Sequence, residues 1–331
     1  MRLAVIGVSH WHQTLYIEPA LEVDGAQLVA VSDPDLAVAR TWAERLGCAA
    51  YADFRELCDR LRPDFVFALG RHCDMADEAR YLIDAGIPFA LEKPCGIDSA
   101  ELRDLVERAA AKGAFAAVPL VFRNGELLRA LQELEPGDGF QHLAFRFIAG
   151  FPARYLQAGC AWMLDPQTAG GGCTINLAVH FFDLCRILMG DARVAAAVMS
   201  NAAWGHPVED YSAVVLTTRQ GLCTVETGYL FPAPTSTFDL HYAIRSRRHY
   251  CVVHDARTLE VFDDDGRSSV RQVSSTNVPH YRDFVHDVLA RVRAGDAPLA
   301  GLAEMLSVME LVEQAYAIYH ELTGEQFHRP A

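Results

Sequence analysis

The sequence predicts a two-part α/β protein: an N-terminal Rossmann-type doubly wound parallel sheet, then a C-terminal α+β domain built on a large, mostly antiparallel sheet. Three observations carry that expectation. Short apolar strands alternate with capped helices over roughly the first 120 residues. Past about Phe122 strand-like runs dominate. Finally, 331 residues exceed what one hydrophobic core comfortably fills, so residues 1–122 and 123–331 are expected as separate domains.

The first half reads in order. Leu3–Gly7 is an apolar run closed by glycine, and Trp11–Leu21 can be helical. Gln27–Ser32 is strand-like. Pro34–Leu46 opens with proline and is followed by Gly47, the asymmetry helix ends favour. Asp53 is placed to cap a short helix to Leu61. Phe65–Ala68 and Pro88–Leu91 read as strands. Cys73–Ala85 and Asp98–Lys112 read as helices stopped by Gly86 and Gly113. Strand, crossover helix and strand repeated in this way call for parallel pairing.

In the second half a helix is expected over Gly125–Leu134 and another over Cys173–Met189. Strands are expected at His142–Ile148, Val194–Asn201, Ser212–Thr218, Leu222–Thr227, Phe238–Arg245, Tyr250–His254 and Leu259–Phe262. Turn residues such as Arg219-Gln220-Gly221 separate several of them. Tyr281–Arg293 and Ala303–Leu322 close the chain as helices.

Composition narrows the function. Apolar residues make up 51% and charged residues 22%, a globular balance. A net charge of −14 repels phosphate backbones and anionic lipid, which argues against nucleic acid and membranes as partners. Nine dispersed cysteines without a CxxC pair read as reduced thiols of a cytoplasmic protein. The N-terminus lacks a signal-peptide pattern, and no uncharged apolar run reaches membrane-spanning length.

The turn after the first strand is Gly7-Val8-Ser9-His10-Trp11-His12. A dinucleotide fingerprint wants GxGxxG here, and only the first glycine is present. Ser9 and His12 stand at the other two positions, and a plain strand-to-helix turn accounts for the pattern equally well. The helix N-terminus that follows can offer amides to phosphate. Asp33 at the end of the second strand can bind ribose hydroxyls and repel a 2′-phosphate, so NAD is favoured over NADP. Asp33 can also simply cap the next helix. His10 and His12 are two imidazoles without a nearby third ligand, so no metal is expected and both are assigned to the cofactor crevice.

At Glu92-Lys93-Pro94 and Gly170-Gly171-Gly172 … Asn176 … His180 … Asp183 the chain resembles the Gfo/Idh/MocA oxidoreductases, the glucose–fructose oxidoreductase and inositol dehydrogenase superfamily. Arg123, Glu209-Asp210 and Ala315-Tyr316 extend the resemblance over nearly the whole chain. It implies an NAD-dependent enzyme that moves a hydride to or from a hydroxyl-bearing sugar or polyol, working as a homodimer or homotetramer. It further implies that Lys93, His180 and Asn176 are catalytic, that a cis peptide often precedes the proline, and that Leu69, Gly70, His72, Glu92, Lys93 and Trp11 join Gly7, Ser9, His10, His12 and Asp33 around the cofactor. Arg123, Tyr155, Trp162, Asn176 and His180 are then the substrate contacts.

Five departures from the family pattern stand out. The nucleotide turn lacks two glycines. Leu69-Gly70 replaces threonine-proline, and the histidine that follows is displaced, with Asp74 in its place and His72 two residues earlier. Asn176 replaces the aspartate before His180, and Trp162-Met163 replaces tryptophan-arginine. A neutral Asn176 leaves His180 less basic and shifts proton transfer toward Lys93. Two other readings stay open: a nucleotide-binding sensor without turnover, and an enzyme with permanently bound NAD that uses transient oxidation for elimination or glycoside cleavage.

Overall fold

The computed structural model describes residues 1–137, 139–232 and 238–328. Its elements in chain order are β1 (Arg2–Ile6), α1 (Gln13–Leu21), β2 (Gln27–Ser32), α2 (Leu36–Leu46), β3 (Ala49–Tyr51), α3 (Phe54–Leu61), β4 (Phe65–Ala68), α4 (Met75–Ala85), β5 (Phe89–Leu91), α5 (Ser99–Lys112) and β6 (Ala116–Ala117). There follow α6 (Glu126–Leu134), β7 (Phe140–Gly150), α7 (Ala153–Gln157), α8 (Pro166–Ala169), α9 (Val179–Met189), β8 (Ala192–Ser200), β9 (Tyr211–Thr218), β10 (Leu222–Phe231), β11 (Asp239–Ser246), β12 (His249–Val253), β13 (Thr258–Asp263), β14 (Ser268–Gln272), α10 (Val278–Ala294) and α11 (Leu302–Thr323).

Two compact units emerge: Met1–Pro119 with Tyr155–Trp162 and Tyr281–Leu306, and Leu120–Arg154 with Met163–His280 and Ser307–Ala331. In the first, six parallel strands run in the order β3-β2-β1-β4-β5-β6. Leu3–Ile6 and Phe65–Ala68 are buried along their whole length, which explains why these strands are continuous apolar runs rather than alternating ones. Helix punctuation holds: Asp53 accepts from Arg55 N at 2.8 Å, Asp98 accepts from Glu101 N at 2.8 Å, and Gly47, Gly86 and Gly113 are left-handed caps. Because the chain order reverses across β1 and β4, their C-terminal ends flank the crevice where such sheets bind ligands.

In the second unit eight strands run β14-β13-β12-β11-β7-β10-β9-β8. Every pair is antiparallel except β7 with β10. Ser212, Val214 and Leu216 are buried while Ala213 and Val215 are half-buried, the period-two pattern of a sheet with one face on a core. Edge strand β14 escapes a sequence reading because Ser268–Gln272 carries a single large apolar residue, and that residue, Val270, is exposed. Among the described residues one segment, Pro166–Met189, is long and apolar enough to cross a membrane by length and composition, although Asp183 and Arg186 interrupt it; 89% of its most apolar stretch is buried inside the fold, as in a core helix.

Candidate functional site

β1 ends in Gly7 at φ +70, the left-handed region glycine tolerates. A Cβ there would sit 2.6 Å from the Leu69 carbonyl oxygen, so no other residue fits. The following turn is tied to β2: Gly7 N and Val8 N both donate to Ser32 O, and Ser9 N donates to Asp33 Oδ2 at 2.9 Å. Asp33 also accepts from Asp35 N at 3.1 Å. Its carboxylate therefore orders the loops after β1 and β2 together, and α2 takes its cap from Asp35 instead.

These loops and the one after β4 enclose a cavity of about 460 Å³. Gly7, Ser9, His10, Asp33, Leu69 and Gly70 line it, joined by Trp162 and by Glu78 of α4. Trp11, His12, His72, Glu92 and Lys93 are not among its lining residues. The volume lies in the range of small-molecule sites. Gly7, with backbone in the space a Cβ would fill, and an acidic group at the end of β2 suit a dinucleotide.

His12 faces a buried polar cluster rather than that cavity. Its Nδ1 lies 3.3 Å from Glu92 Oε2 and 3.4 Å from the Tyr281 hydroxyl. Tyr16 of α1 donates to Glu92 Oε2, Tyr281 donates to Oε1, and Lys93 N donates to Oε1 at 3.1 Å. Burial first, and the Glu92 charge second, push both tyrosines well above their usual range. The EKP loop is thus anchored through its glutamate. Lys93 is buried, and the Lys93–Pro94 peptide is cis.

Aromatic rings cover the nucleotide turn. His10 lies 5.7 Å from the Trp162 ring, and His72 packs edge-on to Trp162 at 5.0 Å. Burial, with His12 adding, holds His10 well below the ordinary imidazole range, against the pull of Glu92. Tyr155 packs edge-on to Trp11 at 5.3 Å, and Cys160 Sγ donates to Ser9 O at 3.4 Å. Tyr155 and Trp162, expected as substrate contacts from the C-terminal part, belong to the first unit and pack on its nucleotide turn.

In the second unit Gly170–Gly172 leads into a π-helical turn, Thr174–Ala178, and then α9. The glycine run admits two neighbours at close range. A Cβ on Gly171 would meet the Tyr316 hydroxyl at 2.0 Å, and one on Gly172 would meet the Glu209 carbonyl oxygen at 2.0 Å. The buried Glu209 carboxyl accepts from Gly172 N at 2.9 Å, Thr174 N at 2.8 Å and Tyr316 Oη at 2.8 Å. Burial raises its pKa against the hydrogen bonds from Thr174 and Tyr316. A plain helix from Cys173 was expected, and a π turn was not legible; such turns cluster at functional sites. Asn176 lies in the turn and donates to the Tyr229 hydroxyl at 2.9 Å. His180, one residue into α9, is buried with its ring 5.8 Å from Phe122. Arg123, expected at the substrate, grips Asp183 with Nε at 2.9 Å and Nη2 at 2.7 Å, a two-pronged pair that holds α9.

Sequence reasoning singled out neither Glu78 nor the tyrosines on Glu92. The one available signal was Gly70 in place of proline, which frees an amide and leaves room for a side chain.

Residues 1–119 match the model of the GFO_IDH_MocA oxidoreductase family, NAD-binding Rossmann fold, and residues 141–246 match the GFO/IDH/MocA C-terminal domain. The chain is 28% identical over 193 residues to an oxidoreductase subunit ascribed to UDP-kanosamine synthesis in Amycolatopsis mediterranei, covering 58% of this chain and 52% of that protein. It is 26% identical over 244 residues to a D-apiose dehydrogenase of Paraburkholderia graminis, covering 69% and 57% respectively. The chain thus spans about half the length of the curated relatives it matches. An oxidoreductase from Agrobacterium radiobacter, solved with NAD+, L-tartaric acid and magnesium, superposes with a TM-score of 0.84 at 18% identity, over 98% of this chain and 97% of that one. At that identity the likeness is one of fold.

Proposed function

The chain belongs to the Gfo/Idh/MocA oxidoreductase family, and from that premise we propose that it is an NAD-dependent dehydrogenase acting on a hydroxyl of a sugar, polyol or related small molecule. The observation that carries this reading is the cavity at the ends of β1, β2 and β4, where Gly7, Ser9 and Asp33 meet in a segment that matches an NAD-binding Rossmann model. The curated relative named for D-apiose, a sugar, supports the substrate class.

In this reading residues 1–122 hold the cofactor and residues 123–331 bind substrate and form the homodimer or homotetramer. The Gly7–His10 turn would lie beside the pyrophosphate, and the remaining lone pairs of Asp33 would face ribose hydroxyls. Bound NAD supplies the acceptor or donor of a hydride. Lys93 holds its ammonium against the reacting hydroxyl and stabilises negative charge as it develops on oxygen. His180 takes or returns the hydroxyl proton, since its ordinary pKa lies near neutrality. Asn176, uncharged and hydrogen-bonded to Tyr229, orients a substrate hydroxyl without raising the basicity of His180. Lys93 therefore carries a larger share of the proton transfer, taking the hydroxyl proton as a neutral amine during oxidation and returning it as the ammonium during reduction.

The test is a panel of sugars and polyols followed at about 340 nm, where reduced nicotinamide absorbs. With an active substrate in hand, Lys93→Met is expected to lower kcat by about 100-fold or more. Near-normal turnover in that variant removes Lys93 from the chemistry. NAD binding with no absorbance change across the panel favours a sensor instead, and NAD that co-purifies without exchanging favours an enzyme with a resident cofactor.

A further inference from the structure

The nucleotide cavity of the first unit holds an acidic group that the dinucleotide fingerprint does not account for. Glu78 of α4 is 6% exposed, and it lines the cavity together with Gly7, Asp33 and Gly70. Gly70 makes its position possible, and Gly7 lets the turn after β1 close on Gly70. A Cβ on Gly70 would lie 2.2 Å from Glu78 Oε1, and a Cβ on Gly7 would lie 2.8 Å from Gly70 N. The Gly70 amide is therefore close to both the carboxyl and the turn that follows β1. Gly70 N donates to Oε2 at 3.3 Å, an amide that a proline at this position would not possess.

The charged surroundings of this carboxyl are mostly acidic. The charges of Asp74, just before α4, of Asp77 on α4 and of Arg55 on α3 act on it. Asp33, Asp35 and His10 share its cavity, and Arg71, also on the cavity wall, is held by Asp74 at 2.6 Å. Burial outweighs the Gly70 amide and Arg55, the two aspartates add to it, and the pKa is pushed up to about 8. Near neutrality the side chain is thus an un-ionised acid with an O–H to donate. An ionised carboxylate at this place would repel a pyrophosphate seated on the Gly7 turn, whereas the acid form can hydrogen-bond to it.

We propose that Glu78 is a cofactor-binding residue whose protonated carboxyl donates a hydrogen bond to the pyrophosphate of a dinucleotide on the Gly7 turn. This rests on the NAD reading above. Its consequence is that cofactor binding is coupled to protonation of a residue outside the fingerprint.

The experiment is a fluorescence titration of the full chain with NADH from about pH 6.5 to about pH 9.5, for the natural sequence and for Glu78→Gln; above the pKa a fully linked site weakens about tenfold per pH unit. The natural chain is expected to lose affinity as pH rises above about 8. Glu78→Gln, which can donate an N–H at every pH, is expected to lack that loss. Parallel profiles overturn the proposal. Calorimetry of the natural chain at about pH 8, in two buffers of different ionisation enthalpy, gives a second readout that does not depend on the variant folding: binding should take up about half a proton. Zero uptake also overturns the proposal. Failure of the natural chain to bind NADH at any pH would instead sink the NAD reading, and this inference with it.

Discussion

Two of the glycine turns lead into helices of the candidate site, and they treat glycine differently. At the end of β1 only Gly7 survives of a three-glycine pattern, because only there does a Cβ meet backbone, 2.6 Å from the Leu69 carbonyl. Ser9 and His12 stand where glycines would, and each is put to use: the Ser9 amide binds Asp33, and the His12 ring binds Glu92. Ahead of α9 the run Gly170–Gly172 is intact, because Tyr316 and Glu209 reach within 2.0 Å of any Cβ on Gly171 or Gly172. A motif glycine is therefore indispensable only where another group occupies the volume of its missing side chain. Elsewhere a side chain can replace it and acquire a partner.

That difference can be broken by substitution. Gly172→Ala should have the largest effect, since its Cβ would strike a backbone oxygen rather than a movable side-chain end; a loss of about 3 kcal/mol or more is expected in urea unfolding of the full chain. A loss under about 1 kcal/mol would show that the Glu209 contact yields easily. Gly7→Ala combines a left-handed backbone with a backbone contact and should cost about 2–3 kcal/mol, with NADH affinity lost as well.

Glu78→Gln sharpens the comparison through pH. The folded chain keeps a proton on Glu78 up to about 8, while the unfolded chain releases it in the ordinary carboxyl range. Stability from this group is therefore full below that range and is lost as pH rises toward 8. Glu78→Gln has no such slope, so its stability relative to the natural chain should grow by about 1–3 kcal/mol between about pH 5 and about pH 8. Equal urea midpoints at both pH values would refute this. The smallest effect is expected from His12→Gly. It restores a fingerprint glycine, yet should destabilise by about 1 kcal/mol, because it strips Glu92 of a buried partner and loosens the start of α1. A more stable variant would show that His12 is merely tolerated.

Much of the fold was legible because local physics set it. Phe65–Ala68 is a strand at the residues its apolar run marks, and Asp53 caps α3 as its position suggests. Short or exposed strands were not legible: β3 is three residues long, β6 two, and β14 presents little apolar pattern. For the candidate site, Gly7 and Asp33 were assigned to the cofactor from the residues and Gly70 from the family resemblance, and the structure puts all three on the wall of one cavity. Arg123 was legible as a cation, but its pairing with Asp183 was not, since sixty positions of chain separate them. Tyr155 and Trp162 could not be placed by chain position, because the chain returns them to a sheet it left at residue 119.

By itself, then, the sequence determined periodicity, caps, turns and the order of the elements, because each depends on residues within a turn or two of one another. Tertiary structure alone decided which carboxyl meets which donor: Glu92 with two tyrosines, Glu209 with the start of the α9 segment, and Glu78 with the Gly70 amide. Such pairings join residues far apart in the chain or separated by a loop. Their strength comes from burial, and burial is a property that the folded chain possesses and the linear one does not.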